Sequence, residues 1–447
     1  MYQLKGILQK SYDFCYERNS NCQSGQRTSR ILKFRSELGA YAPKEISSHE
    51  PFDEVLVSSP IRLLCCSSTM EGGGSERQMV NLIRGMDRSV VTPELFLLDK
   101  KGALLNDLPP EVPITAYWQE HKQSRFYLPG RVLASQIRML GNLMKRDHFD
   151  VLYERLFHMA LIAGPAARRA GVPRVATIVS PPDQDLLRTE HRFIWLKRWI
   201  LARSYNSATR LLAVSQGTAD NASKFYRIPR SRFEVLPSPI DLERIDRLRK
   251  EVVCGPLMRQ DRQKLISIGR LSEEKGHSCL IKAMGLANRK TSLDIELHLV
   301  GDGHLLSNLQ NQAVEEGVAD RVVFHGQVAN PFPLLRQADL FCLPSLYEGL
   351  PNALLEAMAV GIPALASNCE GGIREVSLNG TLCALVERDD PVAWLQAIQA
   401  RFESPSAALE RAALARQHVE QFHSLPKWIH RMEQIFLEVT ANGVRSA

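Results

Sequence analysis

The sequence predicts an α/β protein with two doubly wound, Rossmann-like domains that face a central cleft. Short apolar runs alternate with helical patterns over residues 61–226, and a second alternating series begins near residue 264. Strands that alternate with helices form parallel sheets covered on both faces. Residues 234–241 hold two prolines between the series and are predicted to be the interdomain linker. Because ligands bind at the carboxyl ends of parallel strands, two facing sheets would form one deep site.

Hydrophobic periodicity defines the elements of each series. In the first series, apolar runs predict strands at 61–66, 93–98, 150–153, 174–179 and 210–214. Helical patterns fall between them, at 75–86, 131–146, 158–170, 188–205 and 216–226. In the second series, strands are predicted at 264–268, 295–300, 321–324, 339–343 and 363–367. Helices are predicted there at 275–288, 304–316, 351–360 and 391–402, and in the tail over 406–440.

Length and composition indicate a globular protein. A chain of 447 residues accommodates two or three domains, and 44% hydrophobic with 23% charged residues is an ordinary globular balance. Residues 1–60 show no sustained period and are predicted to be a poorly ordered extension. The chain has no apolar stretch of 18 residues and no apolar segment near its start, so neither a membrane span nor a secretion signal is predicted.

Cysteine content predicts the cellular compartment of the protein, and net charge predicts the chemical class of its partners. Nine cysteines without a C-x-x-C pair indicate reduced thiols, and we therefore expect a cytoplasmic protein. A net charge of +7 suits anionic ligands or anionic lipid head groups. No zinc spacing and no RNA-binding aromatic motif occurs, so no metal and no nucleic-acid partner are expected.

Three glycine-containing loops follow predicted strands. Gly73 and Gly74 open a helix, where free backbone N–H groups favour a phosphate, although a tight turn that needs glycine explains them equally well. After the strand at 264–268, Arg270 and Lys275 could clamp a diphosphate, or they could form ion pairs in a solvated loop. Gly301 belongs to a Gly-Asp-Gly turn that permits close backbone approach to a ligand.

The most specific motif contains two carboxylates eight residues apart. Glu348 lies on a loop after a strand, and Glu356 lies about one turn into the following helix, on the face that carries Asn352. Apolar residues flank Glu356, so its carboxylate needs a hydrogen-bonding partner, either a pair of ribose hydroxyls or a protein group. A later Gly371-Gly372 turn fits a backbone loop around a sugar or a phosphate, or a plain turn.

Together these motifs resemble the retaining glycosyltransferases of family 4 over about residues 61–440. The resemblance implies the GT-B fold, with an acceptor-side domain at 61–236, a nucleotide-sugar donor domain at 237–424 and a terminal segment at 425–447. It also implies that the last helix, near Trp428 to Val439, crosses back to the first domain.

The resemblance also implies roles for individual residues. Glu348 lies beside the transferred sugar as the catalytic residue, and Glu356 holds the ribose. Arg270 and Lys275 bind the donor diphosphate, while Gly73 and Gly74 face the donor phosphates or the acceptor. Further donor contacts are implied for Gly349, Leu350, Asn352, Gly301, Gln327 and Val328. No metal or other cofactor is required, because cations and amides take its place.

One position departs from the family pattern. The family often carries a histidine after the strand equivalent to 174–179, where this chain has Ser180 and, slightly later, Asp183. Either of these could take over an acceptor-side contact. A non-catalytic nucleotide-sugar-binding protein is therefore one alternative, and a GT-B sugar-nucleotide epimerase is another.

The resemblance also indicates a class of substrate. Members with similar motifs act in surface polysaccharide or lipid-linked oligosaccharide assembly and favour UDP-sugars, often N-acetylhexosamines. A hexose or N-acetylhexosamine would then pass from a nucleotide-diphosphate sugar to a glycan or a polyprenyl-linked acceptor.

Residues 188–210 combine basic and aromatic side chains. A helix of this composition could lie on an anionic membrane, which would make the protein peripheral on the inner face of the plasma membrane. Alternatively, its aromatic residues pack on their own sheet while its charges face water.

Overall fold

The computed structural model describes residues 59–120, 130–189, 193–252, 261–369 and 371–444. The predicted N-terminal extension lies outside the described residues, apart from its last two positions.

The first sheet has seven parallel strands in the order 3-2-1-4-5-6-7. They are β1 (Ile61–Ser67), β2 (Val91–Leu97), β3 (Ile114–Ala116), β4 (Val151–Arg155), β5 (Arg174–Ile178), β6 (Arg210–Ala213) and β7 (Phe233–Val235). Its helices are α1 (Gly74–Gly85), α2 (Tyr117–Glu120), α3 (Arg131–Arg146), α4 (Phe157–Ala170), α5 (Pro182–Thr189), α6 (Ile194–Asn206) and α7 (Gln216–Tyr226). The strand order reverses beside β1, which places the ligand-binding end of this sheet near the loop that follows β1.

The second sheet has six parallel strands in the order 10-9-8-11-12-13. They are β8 (Gln263–Ile268), β9 (Ile295–Val300), β10 (Val322–Gly326), β11 (Leu340–Leu343), β12 (Ala364–Ser367) and β13 (Ala384–Val386). The helices of this half are α8 (Leu242–Leu248), α9 (His277–Lys290), α10 (Leu306–Glu315), α11 (Phe332–Gln337), α12 (Asn352–Val360), α13 (Gly372–Val376), α14 (Pro391–Glu403), α15 (Pro405–Phe422) and α16 (Leu425–Val444). Short 3-10 turns occur at Ala103–Asp107, Arg230–Arg232, Glu273–Lys275 and Ala319–Arg321.

The predicted fold class, two doubly wound domains around a cleft, is confirmed. Three strands of only three residues each, β3, β7 and β13, were not predicted, because so short a segment shows no period. The single helix predicted over 188–205 is wrong. Helix α5 ends at Thr189 and α6 begins at Ile194. Phe193 has a φ of 56°, which a right-handed helix cannot contain.

Helix α16 returns to the first domain, as the resemblance implied. Its buried residues Trp428, Met432 and Phe436 belong to the same hydrophobic cluster as residues of β1 and β4. The ring of Phe436 packs edge-on against Tyr153, with 5.8 Å between centroids. Where α15 gives way to α16, the His423 carbonyl accepts from the backbone N–H of Ile240 at 2.7 Å. The chain passes between the domains twice, near Ile240 and near His423, and these two segments therefore lie side by side.

We expect the packing of α16 to stabilise the first domain. Phe436→Ala removes a fully buried ring and should lower the free energy of unfolding by about 3 to 5 kcal/mol, because large-to-small core changes leave a cavity. Urea denaturation followed by circular dichroism measures the change. Leu409→Ala on the exposed face of α15 is the matched control and should stay close to wild type. Equal midpoints for the two variants would contradict the packing role.

Candidate active site

The loop after β11 reaches across the cleft to the first domain. Gly349 lies so close to the end of β5 that a Cβ atom there would overlap the Val179 carbonyl oxygen. The Ser215 hydroxyl, at the end of β6, donates to the Gly349 carbonyl at 2.8 Å. The carboxyl ends of the two sheets therefore meet around Gly349, where the Rossmann geometry places ligands.

Glu348 and Lys275 form an ion pair at this junction. Lys275 Nζ donates to Glu348 Oε1 at 2.6 Å, and the Ser345 hydroxyl donates to the same oxygen at 2.8 Å. The Glu348 side chain is only 11% exposed. A carboxylate held from two sides in this way is fixed in orientation, so the site can present it to a ligand in one direction.

Close packing of two loops brings Lys275 to Glu348. Gly276 has a left-handed φ of 65°, and a Cβ atom there would overlap the carbonyl oxygen of Pro344. The backbone N–H of Leu346 donates to the Glu274 carbonyl at 2.8 Å. Only glycine meets both the conformational and the steric demand at position 276.

Two helix N-termini meet across the cleft. Helix α1 begins at Gly74, and α12 begins at Asn352. A Cβ atom at Gly74 would lie 2.8 Å from Asn352 Nδ2, so the two helix starts are in contact range. Both ends carry free N–H groups and partial positive charge, which favour an anion between them. The buried Asn352 Oδ1 has no hydrogen-bond partner among the described residues.

Arg270 is exposed on the loop after β8. Gly301 packs directly against the backbone of this loop, because a Cβ atom at Gly301 would overlap the Gly269 carbonyl. The Gly301 N–H in turn donates to the Gly326 carbonyl. The Asp302 carbonyl accepts from Leu271 at 2.9 Å. The Gly-Asp-Gly turn thus holds the Arg270 loop in place through backbone contacts.

Glu356 is a carboxylate in an apolar environment. Its helix neighbours Leu355 and Ala357 are fully buried. Burial raises the pKa of Glu356 to about 7, while Arg244 and Arg77 act in the opposite direction. These arginines lie on α8 and α1, so positive charges from two other helices interact with this carboxylate.

The remaining predicted donor residues lie on loops at the same end of the second sheet or on the facing loop of the first domain. Gln327 is exposed after β10 and reaches Gly72 of the first domain, where a Cβ atom would lie 3.6 Å from its Nε2. Val328 and Leu350 pack against the core of the second domain. Gly73 caps the start of α1 with its backbone. The structure therefore brings all the predicted donor residues to one end of the second sheet or to the facing loop.

The acceptor side has a different arrangement from the one predicted. The Ser180 hydroxyl donates to Asp185 Oδ2 at 3.1 Å. Burial raises the pKa of Asp185, and the negative charge of Glu274 raises it further. The positive charges of His158 and Arg270 lower it. Asp183 lies beside Asn221, whose Oδ1 accepts from the Asp183 backbone N–H at 3.4 Å. Ser180 therefore pairs with Asp185, and Asp183 does not take part in this hydrogen bond.

Sequence analysis missed Asp185 and His158. Both lie near the start of a helix that follows a central strand, α5 and α4 respectively. The available signal was the acidic first turn of α5, which contains Asp183 and Asp185 together. Sequence spacing alone does not show which of the two carboxylates faces the cleft.

No cluster of three His, Cys, Asp or Glu side chains arranged to hold a metal ion occurs in the described parts of the chain. Positive charge near the site comes from Lys275 beside Glu348, from Arg244 and Arg77 near Glu356, from Arg270 and from the two helix N-termini.

Two protein-family models match the chain. "Glycosyltransferase Family 4" matches residues 72–244, and "Glycosyl transferases group 1" matches residues 262–404. Together the matches span more than two thirds of the chain and include every donor motif described above.

Curated relatives match the chain in sequence, and solved structures match it in fold. The chain is 25% identical to the UDP-Gal:alpha-D-GlcNAc-diphosphoundecaprenol alpha-1,3-galactosyltransferase of Escherichia coli, over 66% of this chain and 79% of that protein. It is 28% identical to the GDP-mannose-dependent alpha-(1-6)-phosphatidylinositol monomannoside mannosyltransferase of Mycolicibacterium smegmatis, over 72% and 82%. The structure of Anabaena HepE with UDP and glucose shares the fold, with a TM-score of 0.68, 18% identity, and coverage of 84% and 99%.

The matched families, the relatives and the two-domain fold agree, and the chain belongs to the family 4, group 1 glycosyltransferases.

Proposed function

We propose that this protein is a retaining glycosyltransferase. It transfers a hexose or N-acetylhexosamine from a UDP-sugar to a glycan or lipid-linked acceptor in cell-envelope polysaccharide assembly. The observation that carries the proposal is the meeting of two helix N-termini, at Gly74 and Asn352, at the end of the second sheet where the loop after β8 carries Lys275 and Arg270.

This convergence supports a diphosphate site. A nucleotide-sugar diphosphate carries two negative charges, and the cleft offers two side-chain cations together with two partially positive helix ends. The guanidinium of Arg270 suits a bidentate phosphate contact, whereas Lys275 already holds Glu348 and supplies a point charge. These groups offset the charge that grows on the leaving diphosphate, and on this basis we propose transfer without a metal.

Glu356 supports binding of the nucleoside. Its carboxylate lies on the same helix face as Asn352, one turn further from the helix start. Ribose hydroxyls would supply the donors that an apolar environment otherwise withholds from a carboxylate. Glu356 and Glu348 therefore have separate roles, one on the ribose and one on the sugar.

The geometry around Glu348 and Ser180 supports our proposal of a retaining mechanism. Glu348 is held by Lys275 and Ser345, so it is placed to stabilise positive charge on the sugar or to bind its hydroxyls. The leaving diphosphate accepts the acceptor proton on the same face of the sugar. Ser180 and Asp185 orient the acceptor hydroxyl, in place of the histidine that the family often carries.

Two comparisons support the choice of UDP and of a lipid-linked acceptor. The Escherichia coli relative is named for UDP-galactose and a diphosphoundecaprenol acceptor, and HepE was solved with UDP. The mycobacterial relative is named for GDP-mannose, so the nucleotide base must be tested directly.

We expect UDP to raise the melting temperature, with GDP and ADP giving smaller shifts. A ligand at 100 times its Kd stabilises a protein by about 2.7 kcal/mol. Glu356→Gln should abolish most of the UDP shift, because the amide has no charge and keeps only one acceptor oxygen for the two ribose hydroxyls. Differential scanning fluorimetry with each nucleotide measures this, and Glu410→Gln on an exposed helix face is the control.

The same variant tests the buried carboxylate in the ligand-free protein. Because the folded-state pKa is about 7 and the ordinary value is 4.5, wild-type stability should fall as pH rises between these values. Glu356→Gln lacks this loss and should be more stable at pH 8, by at most about 3 kcal/mol. A variant that keeps the UDP shift and gains no stability at pH 8 would exclude the ribose assignment.

We expect Glu348→Gln to lower kcat on the order of 100-fold while UDP binding persists, because the neutral amide no longer stabilises charge on the sugar. Release of UDP, followed with and without acceptor, measures turnover, and Glu410→Gln should behave as wild type. If wild type binds UDP-sugars but releases no UDP with any donor, the protein is a nucleotide-sugar-binding protein without transferase activity.

A second proposed partner is an anionic membrane surface. Trp195 is 73% exposed and Trp199 is 56% exposed, one helical turn apart on α6, with Phe193 exposed beside them. The guanidinium of Arg203 lies 5.1 Å from the Trp199 ring centroid and extends the row. The alternative that these aromatic residues pack on their own sheet is therefore wrong. Among the described helices, none combines the length and the hydropathy needed to cross a bilayer.

The cations of this segment are not equivalent. Arg198 lies over the Phe225 ring, and its Nε donates to the Phe225 carbonyl at 2.8 Å. Arg198 is therefore part of the packing of α6 on α7, whereas Arg203 is exposed next to Trp199. Exposed tryptophans beside a cation fit the interface of an anionic bilayer.

We expect Trp195→Ser with Trp199→Ser to reduce binding to phosphatidylglycerol vesicles at least about tenfold, because two indole rings no longer enter the interface. Sedimentation with vesicles measures the bound fraction. Leu409→Ser, an exposed apolar position on α15, is the control. Unchanged sedimentation of the double variant would contradict the proposal.

A further inference from the structure

We propose that Glu375 is a positioning residue that holds the two domains closed for transfer. Its carboxylate belongs to the second domain but binds the start of a helix in the first domain. This inference rests on the proposed function for its kinetic consequence, while its structural consequence is measured independently of activity.

Glu375 lies on α13 and reaches the N-terminus of α7. Its Oε2 accepts from the backbone N–H of Gln216 at 2.9 Å, and its Oε1 accepts from Gly217 at 2.8 Å. Helix α7 also has its own cap, since Ser215 Oγ accepts from the Thr218 N–H at 3.1 Å. Glu375 therefore satisfies two further N–H groups that would otherwise bond to water, and it does so only when the domains are together.

Glycine permits this contact. A Cβ atom at Gly217 would lie 2.9 Å from the Gly371 Cα, closer than real Cβ contacts. The backbone of the second domain therefore lies directly against the first turn of α7. Only this close approach lets the short α13 deliver both carboxylate oxygens to α7.

The contact between Glu375 and α7 is linked to the candidate active site through shared residues. The residue that caps α7, Ser215, also donates to the Gly349 carbonyl at 2.8 Å, and Gly349 lies against Val179. On the other side, Glu348 and Gly371 form a parallel bridge. The arrangement that brings Glu375 to α7 thus also places the donor loop against Val179 and Ser180, which directly follow β5. Glu375 acts on the reaction through this spacing and not by touching substrate.

The contact should shift the balance between open and closed forms. A carboxylate that accepts backbone N–H groups at a helix start gains from both the charge and the helix dipole. Burial raises the pKa of Glu375, and the two N–H groups oppose that change, as expected for a carboxylate held at a domain seam. Loss of its charge should reduce the closed-to-open ratio about tenfold.

Two variants weaken the contact by different means. Glu375→Gln keeps the size of the side chain but turns one acceptor into a donor that faces an N–H group. Gly217→Ala leaves Glu375 intact and inserts a methyl group against Gly371, while alanine favours the helix itself. Glu433→Gln is the matched control, because Glu433 also accepts from a backbone N–H, that of Asp87 at 2.7 Å, away from the cleft.

We expect both variants to lower kcat about tenfold with the KM for the donor nearly unchanged, because the donor groups lie mainly on the second domain. Small-angle scattering with saturating UDP should show a larger radius of gyration for both variants than for wild type and Glu433→Gln. Unchanged kcat and radius in Gly217→Ala would overturn the inference, even if Glu375→Gln failed to fold. Equal losses in Glu433→Gln would also overturn it.

Failure of the proposed function gives a different result. If wild type shows no turnover, the kinetic comparison is lost, but scattering still reports closure. A larger radius in both variants would then support the domain contact, and an unchanged radius would refute it.

Discussion

Backbone segments of the two domains approach so closely at the cleft that side chains are excluded from several points of contact. Gly74, Gly217 and Gly349 each lie where a Cβ atom would crowd the opposite domain, and Gly276 does the same between two loops of the second domain. Such contacts leave backbone N–H groups and carbonyls facing the cleft, where a ligand or a facing residue can use them. The ion pair, the facing helix starts and the contact of Glu375 with α7 all depend on this spacing.

The site contains polar groups that the protein alone does not fully satisfy. Glu356 keeps a raised pKa in an apolar environment, and Asn352 Oδ1 is buried with no hydrogen-bond partner among the described residues. Placing such groups in the folded protein costs stability. A ligand that forms hydrogen bonds with these groups recovers the stability that their burial costs. The same unsatisfied groups therefore both lower the stability of the free protein and favour ligand binding.

The first domain contributes a surface as well as half of the cleft. Helix α6 follows the helix that carries Asp185, and its exposed tryptophans lie on the side away from the packed residues Leu201 and Tyr205. A lipid-linked acceptor would be presented at a bilayer surface. Aromatic residues in the acceptor-side domain therefore fit the proposed substrate better than aromatic residues in the donor domain would.

The sequence by itself determined the alternating strands and helices and the order of the motifs at strand ends, because these depend on local periodicity and on glycines at strand ends. It also indicated that Glu348 and Glu356 have different neighbours on one loop and helix. Tertiary structure decided which groups meet. Asp185 and not Asp183 pairs with Ser180, and Lys275 pairs with Glu348 across 73 residues. Trp195 faces water, and Glu375 finds a helix in the other domain. These pairings come from the packing of two sheets against each other, which places distant segments in contact without leaving a local pattern in the chain.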